Sequence, residues 1–83
     1  MEYLITFRSI TPAQRAQQIL NHHGAHCRLQ RTPRWMEEKG CGYSLHISSK
    51  NLQELVALLD RFGIVYRKIY LQRSNGKTEE VEL

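Results

Sequence analysis

The side chains best able to do chemistry in this sequence are two cysteines, Cys27 and Cys41, four histidines and a run of arginines. Cys41 lies between Gly40 and Gly42, so neither neighbour carries a side chain that would shield the sulfur. The chemistry open to such a residue is that of a thiolate, the form of cysteine that attacks electrophiles, and positive potential lowers a thiol pKa from about 8.5 towards neutrality. Arg34 lies upstream in the same segment, and Arg8 precedes a helix start at Thr11-Pro12. Two readings of Cys41 follow: a reactive thiolate, or an incidental loop cysteine packed at the start of a strand. Cys27 alternates with Leu29, which places it against the core, where free cysteine behaves as a small hydrophobe. No disulfide between the two is expected.

Other constellations are weaker. His22 and His26 are separated by Gly24 and do not share the one-turn spacing of a helical zinc pair, so no metal and no cofactor is expected. His26 and His46 can meet across adjacent strands as a solvated polar pair. Glu37 and Glu38 are adjacent and point apart, and no histidine is placed by sequence beside Cys41 to act as its base. A stand-alone enzyme is therefore the least supported reading.

The elements that must position these residues come from a short chain. Eighty-three residues hold one small core. Apolar residues make up 41% and charged residues 24%, which excludes a disordered polar chain, and the longest apolar run, Leu55 to Leu59, is too short to cross a bilayer. The first residues lack the basic and apolar regions of a signal peptide, and a cytoplasmic location with both thiols reduced is expected. The net charge of +4 is uneven: Arg28, Arg31, Arg34 and Lys39 fall close together, whereas Glu79, Glu80 and Glu82 fall in the last residues.

Tyr3, Ile5 and Phe7 alternate on one face of a first strand. Thr11 as cap, Pro12 in the first helical position and Gln14 reaching back predict a helix from Pro12 to about His23, stopped by Gly24. Ala13, Ala16, Ile19 and Leu20 form its apolar stripe. Alternation from Ala25 to Arg31 predicts a second strand, and Thr32 to Gly42, with Pro33 and two glycines around a charged stretch, predicts a loop longer than hairpins use. Tyr43, Leu45 and Ile47 mark a third strand. Asn51 with Glu54 caps a second helix whose face is Leu52, Leu55, Val56, Leu59 and Phe62, and Gly63 ends it. Val65 to Leu71 is the final strand, followed by a Ser74-Asn75-Gly76-Lys77 turn and an acidic tail.

The order β-α-β-β-α-β predicts an α+β, ferredoxin-like sandwich: a four-stranded antiparallel sheet in the order 4-1-3-2 with both helices on one face. Residues 1–73 form this domain, and residues 74–83 are a mobile tail or an extra edge hairpin. The topology gathers the end of the first strand, the start of the first helix and the Thr32–Gly42 loop at one end of the sheet. Cys41 is thus expected near the Thr11 helix terminus, whose free amides and dipole favour an anion. Trp35 and Met36 are the odd apolar pair in that loop, either a lid over the core or an anchor for another protein.

On the residues Tyr3-Leu4-Ile5-Thr6-Phe7, Gly24, Cys27-Arg28-Leu29, Thr32-Pro33-Arg34, Cys41-Gly42 and Gly63-Ile64, the chain resembles the selenium/sulfur carrier-like family of small bacterial proteins, over residues 3 to about 71. The Trp35–Lys39 stretch and the acidic tail lie outside the match. The resemblance implies that Cys41 accepts sulfur or selenium as a persulfide or selenopersulfide, that Gly42 is its motif partner, and that Cys27 is an apolar core position. It also implies donor and acceptor proteins of the sulfurtransferase type. Within that reading Arg8, Arg34 and the Thr11 terminus stabilise the anion, Thr32 and Pro33 lead into the loop, and Trp35 meets the partner.

Two rival readings carry no covalent chemistry. One is a binding module for a small anion, a metabolite or a protein, including a homodimer through the open sheet face. The other is RNA binding. It is disfavoured because the central strands are expected to expose Leu4, Thr6, Ser44 and His46 where a base-stacking sheet presents aromatic rings, and Tyr66 and Tyr70, sharing a face of the last strand, do not replace them.

Overall fold

The computed structural model describes residues 2–32, 42–48 and 51–81. The elements follow in the order β1 (Glu2–Phe7), α1 (Ile10–His22), β2 (Cys27–Arg31), β3 (Tyr43–Ser48), α2 (Leu52–Arg61), β4 (Ile69–Gln72) and β5 (Thr78–Val81). The strands form one antiparallel sheet in the order β2-β3-β1-β4-β5. The sheet has five strands rather than the expected four, because the acidic tail returns along β4 as an edge strand. The turn is the one signalled by Ser74 to Lys77. Gly76 supplies the left-handed residue at φ 86°, Asn75 Oδ1 accepts the Lys77 amide at 3.1 Å, and the Arg73 amide donates to Lys77 O at 2.8 Å.

Alternation divides the sheet into two faces. Tyr3, Ile5 and Phe7 of β1, Leu45 and Ile47 of β3 and Ile69 of β4 share a single core with Ala13, Ala16 and Leu20 of α1 and Leu52, Val56 and Leu59 of α2. The small residues Ala13 and Ala16 bring α1 close to the strands, and Gly24 at φ 86° and Gly63 at φ 70° end the two helices in the left-handed region. Asn51 caps α2 as its sequence signals, accepting the Glu54 amide at 3.3 Å.

Helix α1 starts at Ile10, so Ser9, with extended backbone, is its N-cap and Thr11 and Pro12 lie inside the first turn. Proline is tolerated there because first-turn amides lack intrahelical acceptors. Phe62 follows α2 as its C-cap and is exposed rather than buried with the apolar face. Strand β4 begins at Ile69, not Val65, because Arg67 and Lys68 together oppose the single residue Thr6. The Thr6 amide donates to Lys68 O and the Arg67 amide to Thr6 O, both at 2.8 Å, in an arrangement of β-bulge type. Tyr66 consequently packs against the core, while Tyr70 lies on the other face, paired with Leu4 and Glu80.

The face away from the helices is less open than expected. Leu4 is 1% exposed, Thr6 6% and Ser44 0%. His46 pairs in register with Arg28, not His26, and its Nε2 lies 2.9 Å from Gln72 Oε1 and 3.5 Å from Glu2 Oε2. This polar bridge crosses β3, β1 and β4.

Candidate functional site

The two described ends of the β2–β3 loop form a tight neck. The Thr32 amide donates to Gly42 O at 3.0 Å, one step beyond the Arg31–Tyr43 pair that closes the β2–β3 ladder. The Arg31 guanidinium lies over the Tyr43 ring, 5.7 Å from its centroid. Thr32 and Gly42 are both buried. A Cβ at Gly42 would stand 3.1 Å from Phe7 O and 3.2 Å from Thr32 Oγ1, so any side chain there would have to push the neck apart by a few tenths of an ångström. Thr32 Oγ1 is buried and has no hydrogen-bond partner among the described residues.

This neck is where β1 hands over to α1, since Phe7 is the last residue of β1 and pairs with Tyr43. The loop ends and the helix start thus share one end of the sheet, as the topology required. Of the residues singled out from sequence, Thr32 and Gly42 meet at the neck. Arg8 and Thr11 are exposed on the β1–α1 connection and the first turn of α1. Pro33, Arg34, Trp35 and Cys41 lie outside the described residues.

The helix start is electropositive in a simple sense. The Ser9 side chain makes no capping bond, and no acidic residue occupies the first turn. Beside it opens a cleft of about 730 Å³ between the start of α1 and the segment joining α2 to β4, bordered by Arg8, Arg15, Arg67 and Lys68. Sequence reasoning missed Arg15, Arg67 and Lys68. The adjacent Arg67-Lys68 pair was a usable signal, but a regular strand through it would have sent the two side chains to opposite faces.

Cys27 is half-buried, and burial pushes its thiol up to about 11 from an ordinary value of 9.0. Its Sγ lies 3.7 Å from Gln17 O and 3.6 Å from Asn21 Oδ1, acceptors that suit a protonated thiol. At neutral pH this cysteine is a packing residue. The histidines form no metal constellation among the described residues: His22 and His23 stack edge-on at 5.5 Å, and His23 sits 6.4 Å from the exposed Phe62 ring. No described helix is long and apolar enough to cross a membrane.

A family model described as Putative Se/S carrier protein-like matches residues 2–71, most of the chain. No curated protein and no solved structure matches it.

Proposed function

Because the chain belongs to the Se/S carrier protein-like family, we propose that it holds sulfane sulfur or selenium on Cys41 and hands it to a partner protein. The family match carries this reading, and it spans the whole β2–β3 loop. The state of Cys27 supports it: with that thiol held protonated, Cys41 is the other sulfur in the chain that can serve as nucleophile.

In the loading step the Cys41 thiolate attacks the terminal sulfur of a donor persulfide. A new S–S bond forms at Cys41, the donor's S–S bond breaks, and the donor leaves as a thiolate. The terminal S–H passes over intact, so the exchange involves no net redox change. Selenium follows the same course with a terminal Se–H. Delivery is the same displacement, with an acceptor thiolate attacking the outer chalcogen. The two described loop ends, Thr32 and Gly42, lie beside the strand end that leads through Arg8 into α1, and in this reading Arg8, Arg34 and the first-turn amides around Thr11 stabilise the anion. In this reading Gly42 is the motif partner of Cys41, Thr32 and Pro33 lead into the loop, and Trp35 with the basic loop meets the donor or acceptor. We read the architecture as a ferredoxin-like sandwich extended by β5. A dimer through the open sheet face has less in its favour, since Leu4, the apolar residue at its centre, is already buried.

Treatment with glutathione persulfide followed by intact-mass and site analysis tests the proposal. The wild type and Cys27→Ser are expected to gain one sulfur at residue 41, and Cys41→Ser to gain none. Loading that survives Cys41→Ser, or that disappears in Cys27→Ser with the fold intact, overturns it.

A further inference from the structure

We propose that the cleft between α1 and the α2–β4 segment is a binding site for a phosphomonoester with a small apolar body. The described residues that line it include three arginines and one lysine, and no carboxylate. Lys68 Nζ has a counter-ion in Glu80, 3.4 Å away. Arg8, Arg15 and Arg67 form no ion pair with any described residue. Arginine presents a planar fork of donors that matches phosphate oxygens, and three such groups around one cleft favour a multiply charged anion over a monoanion.

Three different elements build this concentration of charge. Arg8 comes from the β1–α1 connection, Arg15 from the body of α1 and Arg67 from the bulge that interrupts the approach to β4. The bulge is decisive, because two consecutive residues facing Thr6 bring Arg67 and Lys68 to the border of the same cleft. Thr6 holds it from both sides: Oγ1 accepts the Lys68 amide at 3.0 Å and lies 3.2 Å from Lys68 O. The start of α1, uncapped by Ser9, adds donors on one side.

The rest of the lining defines the ligand's other end. Pro12 and Ile64 supply apolar wall, and Val65, 79% exposed, is the most solvent-accessible of the large apolar residues described. A volume of about 730 Å³ exceeds what a bare phosphate fills and falls within the range of small-molecule sites. The arginines select the phosphate and the apolar wall takes the attached body. No chemistry at residue 41 is required, so this proposal goes beyond the carrier reading.

Phenyl phosphate titrated into the ¹⁵N-labelled full-length protein tests it, at about 0.15 M salt, where the Debye length of about 8 Å suppresses loose attraction. Saturable shifts are expected at the amides of Ile10, Thr11 and residues 64–68, with phenol producing none. Arg15→Gln combined with Arg67→Gln should weaken binding at least tenfold, whereas Arg28→Gln, which removes a charge from β2, should change it less than twofold. A dispersed amide spectrum for each variant establishes that the fold is intact. Shifts that grow linearly without saturation, or equal weakening by Arg28→Gln and the cleft variants, overturn the proposal.

Discussion

The side-chain hydroxyl of Thr6 accepts the backbone amide of Lys68 at 3.0 Å, across 62 positions of sequence. A regular ladder would give that amide the Thr6 carbonyl, but Arg67 takes the carbonyl instead, and the hydroxyl satisfies the surplus donor. One buried threonine therefore keeps a bulge from leaving an amide unpaired, and the bulge sets where β4 begins.

Thr6→Val keeps the shape and removes the acceptor. A donor left without a partner costs about 1–3 kcal/mol when buried, and the half-buried Lys68 amide falls at the lower end of that range. Urea unfolding of Thr6→Val should show a loss in that range, and Thr6→Ser, which restores the hydroxyl, should recover most of it. Equal stability of Thr6→Val and the wild type would mean that the Lys68 amide is satisfied in another way.

The same threonine shows where sequence reading stops. Alternation identified Tyr3, Ile5 and Phe7 as the inward set, and Asn51 with Glu54 located the start of α2, because these are local patterns with one physical solution. The bulge is a non-local choice: nothing near Arg67 signals that Thr6 will supply a hydroxyl to its neighbour. Thr11-Pro12 makes a good cap and first position on propensity, yet the helix gains a further half-turn from Ile10. For the candidate site, Thr32 and Gly42 were legible as loop ends. The contact that crowds a side chain at Gly42, Phe7 O, belongs to another strand and leaves no trace in the loop's own sequence.

Gly42→Ala tests that contact. The backbone at Gly42 is not left-handed, so the cost is steric: a methyl at 3.1 Å from Phe7 O forces the neck to open by a few tenths of an ångström. Overpacking of this kind costs about 1–3 kcal/mol. The urea midpoint should fall accordingly, and persulfide loading at Cys41 should slow as the neck loosens. An unchanged midpoint would show that the Thr32–Gly42 closure is not under steric constraint.

The edge hairpin offers a pH test. Glu79 accepts two hydrogen bonds from the Arg73 guanidinium, each at 3.0 Å, and this bonding and the attached charge hold its carboxyl below its ordinary value of 4.5 while raising that of Arg73. A depressed carboxylate contributes stability above its unfolded pKa and loses it as pH falls through the folded one. Both partners are exposed, so the effect is local and screened by salt. Hydrogen exchange of the β4–β5 amides should accelerate relative to the β1–β3 pairs below about pH 4, and Arg73→Gln should show the faster exchange already at pH 7. Identical relative protection at pH 7 and pH 3 would remove the bridge as a determinant of the hairpin.

Cys27 gives the opposite sign of pH dependence, with a readout that bears on the carrier reading. Its folded pKa is raised by burial from 9.0 to about 11, so the folded state resists losing that proton. The corresponding stability is fully present below pH 9 and is lost as pH rises through about 11. At pH 7.5 the thiolate fraction at Cys27 is of order one in a few thousand, against roughly one in thirty for a thiol at the ordinary value of 9.0. In Cys41→Ser, iodoacetamide should therefore label Cys27 roughly a hundredfold more slowly than an unburied thiol, with the rate climbing steeply above pH 9. Cys27→Ala should flatten the fall in stability between pH 9 and 11. Rapid labelling of Cys27 at neutral pH would make it a second competent nucleophile and remove the main structural reason for assigning the cargo to Cys41 alone.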